Sequence, residues 1–371
     1  VTLTWEQVLA WRLRRQLLDP RGGVDAVGVV GRLCGVQAQV ASAAELAVAV
    51  RQADPAPGAL AAALGERRLV KAWAMRGTLH LLPPAEAGAY LSLVAAARSW
   101  ERPAWRRAFG VGPAELHAMA EAVTQALDGR VLTREELVEE IVSRTGNAGL
   151  REQLRSGWGA LLKPLAWQGY LCQGPPAGNL VTFTRPDTWH PDWGGVPAPA
   201  DAARTVVPAY LAAYGPATPA MFDQWLTRGS TPKQQLRGWF ADPGAQLVTV
   251  EVAGQQAYAR AADVDELRAT RPTAGVRLLP GFDQYILGPG TGDARIIDPA
   301  RRKLVSRAAG WISPVVLAGG RVVGVWELDG DTVAVTPFGE AGELPRPALR
   351  AEAAHLARCL GRTSTMAVTR R

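Results

Sequence analysis

Apolar positions along the chain change period in the same order three times, helical spacing first and then a pair of strand-like runs. In the first round, Trp5, Val8, Leu9, Leu13 and Leu17 form a loose apolar stripe behind Thr4-x-x-Gln7. That spacing is a capping box, in which each residue's side chain satisfies the other's free backbone N–H, so a helix is predicted over 4–18. Asp19-Pro20-Arg21-Gly22-Gly23 ends it. A second helix over 25–34 closes at Gly35, and Ser42-Ala43-Ala44-Glu45 reads as another capping box that opens a helix to about residue 52. After a Pro-rich break and a short apolar run over 59–64, strand-like runs at 69–75 and 78–84 flank Arg76-Gly77, a hairpin with glycine at its tip.

The middle of the chain repeats that order. Helices are predicted over 85–98, 113–127, 133–144 behind the box Thr133-Arg134-Glu135-Glu136, and 150–167 with a bend at Pro164. A hairpin over 170–173 and 179–184 follows, then a Pro- and Gly-rich linker. In the third round, helices over 203–214, 218–226 and 230–240 precede a hairpin over 246–252 and 255–260. Beyond residue 276 the pattern turns to strands, over 276–279, 311–317, 321–328 and 332–336, with Trp311 and Trp326 expected in the core. A last helix is predicted over 346–360.

Helices followed by a hairpin are the ingredients of a winged helix. The fold class expected is therefore α+β: three tandem winged-helix motifs, each a helix-turn-helix plus a β-hairpin, with a C-terminal β-rich elaboration. The units expected are 1–110, 111–188, a linker over 189–202, 203–275, 276–362, and a loose tail over 363–371.

Composition narrows the partner. Hydrophobic content of 48% with 20% charged residues describes a globular chain with ample core. No apolar run is long enough to span a bilayer, and the N-terminal residues lack a basic start and apolar stretch, so a cytoplasmic, nucleoid-associated protein is expected. Cys34, Cys172 and Cys359 are widely spaced and read as free thiols. With 41 basic and 34 acidic residues the net charge is +7, and nearly all the positive charge is arginine, which suits phosphates. Tandem winged helices on a basic chain point to double-stranded DNA, bound either by an enzyme or by a non-catalytic regulator or damage-recognition factor.

Gln37 and Gln39 fall in the connection between two predicted helices. Near-extended backbone would aim both amides the same way. On their own such residues more often tie down a loop's backbone. Arg76 and Thr78 at the first hairpin tip are candidates for phosphate contact, or a surface pair without a role, and His80 for a packed histidine or one near a site. Arg301-Arg302-Lys303 makes a compact basic tip suited to DNA. Asp283 is a candidate active-site carboxylate, with a turn or cap residue as the favoured alternative. No His/Cys cluster has metal-ligand spacing, so neither metal nor cofactor is expected.

Several strings together resemble the AlkZ/YcaQ winged-helix DNA glycosylase family. They are Val36-Gln37-Ala38-Gln39, Trp73-Ala74-Met75-Arg76-Gly77-Thr78-Leu79-His80 and Tyr214-Gly215-Pro216-Ala217-Thr218. Two more follow in order: Leu278-Leu279-Pro280-Gly281-Phe282-Asp283-Gln284-Tyr285-Ile286-Leu287-Gly288, and the stretch from Pro314 through Arg321 to Trp326. The resemblance runs over about residues 1–361, and Gln-x-Gln in place of Gln-x-Asp places it in one branch of the family. It implies excision of N7-alkylated purines from duplex DNA, including unhooking of interstrand cross-links, in a producer of a DNA-alkylating natural product. Gln37 and Gln39 are then the catalytic pair. Arg76, Thr78, His80, Arg301, Arg302, Lys303 and Arg321 would contact DNA, with Asp283 and Tyr285 in support. No obligate protein partner is implied. A lyase step would need an amine nucleophile, and lysine occurs only at 71, 163, 233 and 303, none beside the glutamines in sequence, so a monofunctional enzyme is expected.

Overall fold

The computed structural model describes residues 2–155, 159–242, 244, 246–362 and 366–370. It is an α+β protein in which the predicted order of helices and hairpins is present, and no helix among the described residues is long and apolar enough to cross a membrane. The capping box at Thr4 and Gln7 forms and starts the helix Trp5–Arg15, and the box at Thr133 and Glu136 starts Arg134–Thr145.

The first hairpin pairs Val70–Trp73 with Leu79–Leu82. Two features extend it. The segment Val36–Gln37 adds a strand on the Leu79–Leu82 edge, and Lys71 on the other edge pairs with Gln173 of the second hairpin. The first two rounds therefore share one six-stranded sheet, which removes two short edges that would otherwise leave backbone groups unpaired. The third hairpin, Leu247–Val252 with Gln255–Arg260, takes the N-terminal strand Thr2–Leu3 in parallel.

The C-terminal region is a five-stranded sheet ordered Val276–Leu279, Val315–Ala318, Arg321–Asp329, Thr332–Pro337, Ala367–Arg370. Its apolar face packs with the helix Arg346–Cys359 around Val315, Leu317, Trp326, Leu349 and Leu356. The linker does not hang free. Ser92 donates to the Pro197 carbonyl at 2.7 Å, and the backbone at Gly195 runs so close to the helix Pro84–Ala95 that a Cβ on Gly88 would meet its carbonyl oxygen at 1.6 Å.

Four expectations change. Ser42 and Glu45 form no capping box. The helix Ala41–Ala49 starts at Val40 without a side-chain cap, and the Glu45 carboxylate instead accepts from the N–H groups of Leu60 and Ala61, both at 3.1 Å, closing the N-terminus of Ala59–Gly65. The helix predicted over 150–167 is two, Leu150–Arg155 and Leu162–Trp167, with 156–158 outside the described residues. Pro164 lies in the first turn of the second, where its missing N–H breaks no helical bond. Within the expected tail, residues 367–370 pair in parallel with Thr332–Val335, while 363–365 and 371 lie outside the described residues. Trp311 is not core. It is 47% exposed in a loop, whereas Trp326 is 6% exposed and donates to the Leu279 carbonyl at 2.8 Å.

Candidate nucleic-acid site

Gly35, at φ +96°, turns the chain out of the helix Ala26–Arg32 and into the strand Val36–Gln37. A side chain there would collide with Leu82, with a Cβ 2.7 Å from its Cδ2, so the turn needs glycine twice over. The Ala38 N–H continues the pairing by donating to the Leu79 carbonyl at 2.8 Å. Val36 and Ala38 face inward, packed in a cluster with Leu81 and Leu69. Alternation along the strand then turns Gln37 to the other face, with Gln39 just beyond the strand's end. Gln37 is 8% exposed and Gln39 is exposed on the bend that follows.

Two residues of the first hairpin frame Gln37. His80 lies directly opposite it in the antiparallel register, so both side chains project from the same sheet face. The imidazole is fully buried, and its Nδ1 is 3.0 Å from the Thr78 carbonyl. A carbonyl only accepts, so Nδ1 carries the proton and Nε2 is left as a lone-pair acceptor, with no partner. Burial, and secondarily the nearby Arg76 cation, lower the His80 pKa to about 3, which keeps the ring neutral.

Arg76 occupies the hairpin tip in the left-handed region, φ 57°, followed by Gly77 at φ 68°. Its guanidinium reaches across to the third round of the fold. Nη1 donates to the Trp225 carbonyl in the last turn of Pro219–Thr227 at 2.9 Å, where the helix end favours a cation, and Nη2 is 3.5 Å from Gln37 Oε1. Burial lowers its pKa to about 10, still leaving it charged at neutral pH. Thr78 closes the tip locally through its hydroxyl on the Met75 carbonyl. Gln37, Arg76, Thr78 and His80 are thus brought together, and Arg76 faces a helix end and an amide.

The other candidates lie elsewhere. Asp283 is fully buried, both carboxylate oxygens accept from Arg51 at 2.7 Å, and one also caps the Tyr285 N–H at 2.8 Å. That is the cap residue its sequence context favoured. Tyr285 is buried too, its hydroxyl on the Gly320 carbonyl at 2.8 Å. The basic tip is a one-turn helix, Arg302–Val305. Arg301 is held in two bonds by Glu340, Arg302 lies 3.4 Å from the Thr291 hydroxyl, and Lys303 is exposed. Arg321 is 3.5 Å from Glu6 at the surface.

Sequence patterning missed two neighbours of the hairpin tip. One is the Trp225 carbonyl, which no side-chain motif could announce. The other is Lys163, which is half-buried: a Cβ on Gly77 would lie 3.9 Å from its Nζ. Burial, then the Arg228 charge, lowers its pKa. Lys71 instead shares the register of Leu81, on the face opposite Gln37 and His80. No group of three or more His, Cys, Asp or Glu among the described residues could hold a metal ion.

A family model described as "DNA glycosylase AlkZ-like" matches residues 30–359. The chain is 54% identical over 359 residues, 96% of its own length and 97% of the relative's, to an interstrand DNA cross-link repair glycosylase of Streptomyces sahachiroi. The solved structure of the Streptomyces sahachiroi DNA glycosylase AlkZ matches with a TM-score of 0.96 at 52% identity, with 100% of both chains covered.

Proposed function

The chain belongs to the AlkZ-like DNA glycosylase family, and on that premise we propose that it hydrolyses the N-glycosidic bond of N7-alkylated purines in duplex DNA, including purines held in interstrand cross-links. Gln37 and Gln39 carry the reaction.

Alkylation at N7 makes the purine a cation. When the C1′–N9 bond breaks, the base takes the bonding electrons and leaves as a neutral N7-alkylpurine, so no strong acid has to protonate it. The sugar is left as an oxocarbenium-like centre to which water adds at C1′, releasing a proton to solvent. Amide oxygens stabilise such a centre and hold the incoming water by orientation rather than by proton abstraction, since an amide is a poor general base. The observation that carries this reading is the alternation of Val36 and Ala38 into the core, which turns Gln37, 8% exposed, to the opposite face and leaves Gln39 exposed on the bend beside it. Arg76, donating toward Gln37 Oε1 from its anchor on Trp225, fixes which way that amide points. His80 contributes a neutral ring and adds no second cation to the site.

Selectivity then follows from the lability of the lesion. The test is a set of duplexes carrying one N7-alkylguanine, one N7-linked cross-link, or no damage, incubated with wild-type protein and assayed for abasic product. Release from the first two and a negligible rate on the third is expected. Comparable release of undamaged purines overturns the reading.

A further inference from the structure

Trp311, expected in the core, is the only aromatic among the exposed large hydrophobic residues described. It sits at the base of a tight loop in which Ser306 and Ile312 pair, the Arg307 N–H donates to the Trp311 carbonyl at 2.8 Å, and Ala309 and Gly310 both take positive φ. The loop is thus built to hold its shape. Phe282 meets the Trp311 ring edge-on with centroids 5.1 Å apart, which props the indole from one side while 47% of the residue stays exposed. Leu304, 48% exposed, lies on the adjoining one-turn helix, whose Leu304 carbonyl accepts from the Ser313 hydroxyl. Arg302, Lys303 and Arg307, all exposed, lie within nine residues of Trp311 in the same segment. Of the nearby acidic residues, Glu340 is paired with Arg301, and Asp298 accepts from the Ala300 N–H.

An exposed indole and leucine on a segment that carries three exposed cations fit nucleic acid better than a protein surface, because the cations hold phosphates while the indole offers a face to a base. The loop is also bolted to the glutamines. The helix Ala41–Ala49 begins two residues after Gln39, spans about 14 Å by its rise per residue, and is followed by Arg51. Arg51 holds Asp283, the neighbour of Phe282, through two 2.7 Å bonds in a fully buried pair.

We propose that Trp311, propped by Phe282 and flanked by Leu304, is a stacking element that docks against a base left open where the duplex is distorted, while Arg302, Lys303 and Arg307 grip the flanking phosphates. This rests on the DNA glycosylase reading above and adds a lesion-sensing contact outside the Gln37 site. Binding of the full-length protein is measured to an intact duplex and to the same duplex with a tetrahydrofuran abasic analogue, across salt concentrations, for wild type, Trp311→Ala, Trp311→Phe and the Arg302→Ala/Lys303→Ala/Arg307→Ala variant. Trp311→Ala should lose about tenfold in affinity for the analogue duplex, with intact-duplex binding and salt slope unchanged, and Trp311→Phe should restore most of it. The triple variant should weaken both duplexes and flatten the salt slope by up to about 3. Trp311 is surface-exposed, so unchanged thermal melting is expected for its variants. If wild type shows no preference for the analogue, or Trp311→Ala keeps it, the stacking element is overturned. If wild type releases no base from alkylated duplex, the glycosylase reading itself fails.

Discussion

Gln37 ends one strand and Asp283 follows another, and both belong to strings that resemble the same family, yet one keeps some exposed surface and the other is sealed. Asp283 has no exposed surface and gives both oxygens to Arg51. Gln37 keeps 8% of its surface and makes one long contact to Arg76, and Gln39 beside it is open. A buried carboxylate has to be paired, and the pairing removes it from chemistry. Neutral amides can border a cleft without that desolvation penalty. On the function proposed above, the residues left to meet DNA are the weaker groups, which suffices only where the leaving group is already charged.

The largest effect should come from breaking the sealed pair. Arg51→Met strands a buried carboxylate and should cost about 3–5 kcal/mol of stability in urea unfolding. Gln39→Ala, on the exposed bend, should stay within about 0.5 kcal/mol. Equal midpoints for the two variants would erase the distinction between the sites.

Acid should expose a second difference. The folded His80 pKa, lowered to about 3 from an ordinary value near 6.5, means that the folded state binds fewer protons than the unfolded state between those limits. Stability from this residue is complete above about pH 6.5 and is lost as pH falls toward 3. His355, lowered to about 4 by burial and then by neighbouring arginines, adds in the same direction. Unfolding midpoints between pH 7 and 4.5 should therefore drop with acid, and His80→Gln should make the slope shallower. The excision rate should show no imidazole titration between pH 5.5 and 8.

Arg76 tests the link between the hairpin and the third round of the fold. Arg76→Ala removes its anchor on Trp225 and its hold on Gln37, and about a tenfold fall in the single-turnover rate is expected, with smaller loss for Arg76→Lys. If Arg76 serves only as a phosphate contact, binding should weaken while the single-turnover rate at saturation holds. A smaller effect, on stability alone, belongs to Glu45→Ala, which uncaps Ala59–Gly65 and should cost about 1 kcal/mol without touching activity. Borohydride trapping should yield no enzyme–DNA adduct, and an adduct lost in Lys163→Ala would place a lyase amine at the hairpin tip.

The legible part of the fold was the local part. Capping boxes at Thr4 and Thr133, the Gly77 tip and three hairpins follow from short-range rules, and all form. Glu45 shows the limit: its spacing from Ser42 was right for a box, but a partner fifteen residues on competed for the carboxylate and won. Trp311 shows another, since strand-like alternation cannot say that Ala308-Ala309-Gly310 will curl the chain out of the sheet. At the site, Gln37 and Gln39 were visible as a pair between two helices, and the resemblance supplied the role proposed for them. The Lys71–Gln173 pairing that fuses two hairpins, and the Trp225 carbonyl that takes Arg76, depend on contacts across more than a hundred residues that no period in the chain encodes.

The most direct test is single-turnover release of N7-alkylguanine from a duplex by wild type, Gln37→Ala and Gln39→Ala, each confirmed folded by its unfolding midpoint. A rate loss on the order of a hundredfold in each variant, with stability and duplex affinity kept, is the expected outcome. Full activity in both would show that the amide pair does not carry the reaction.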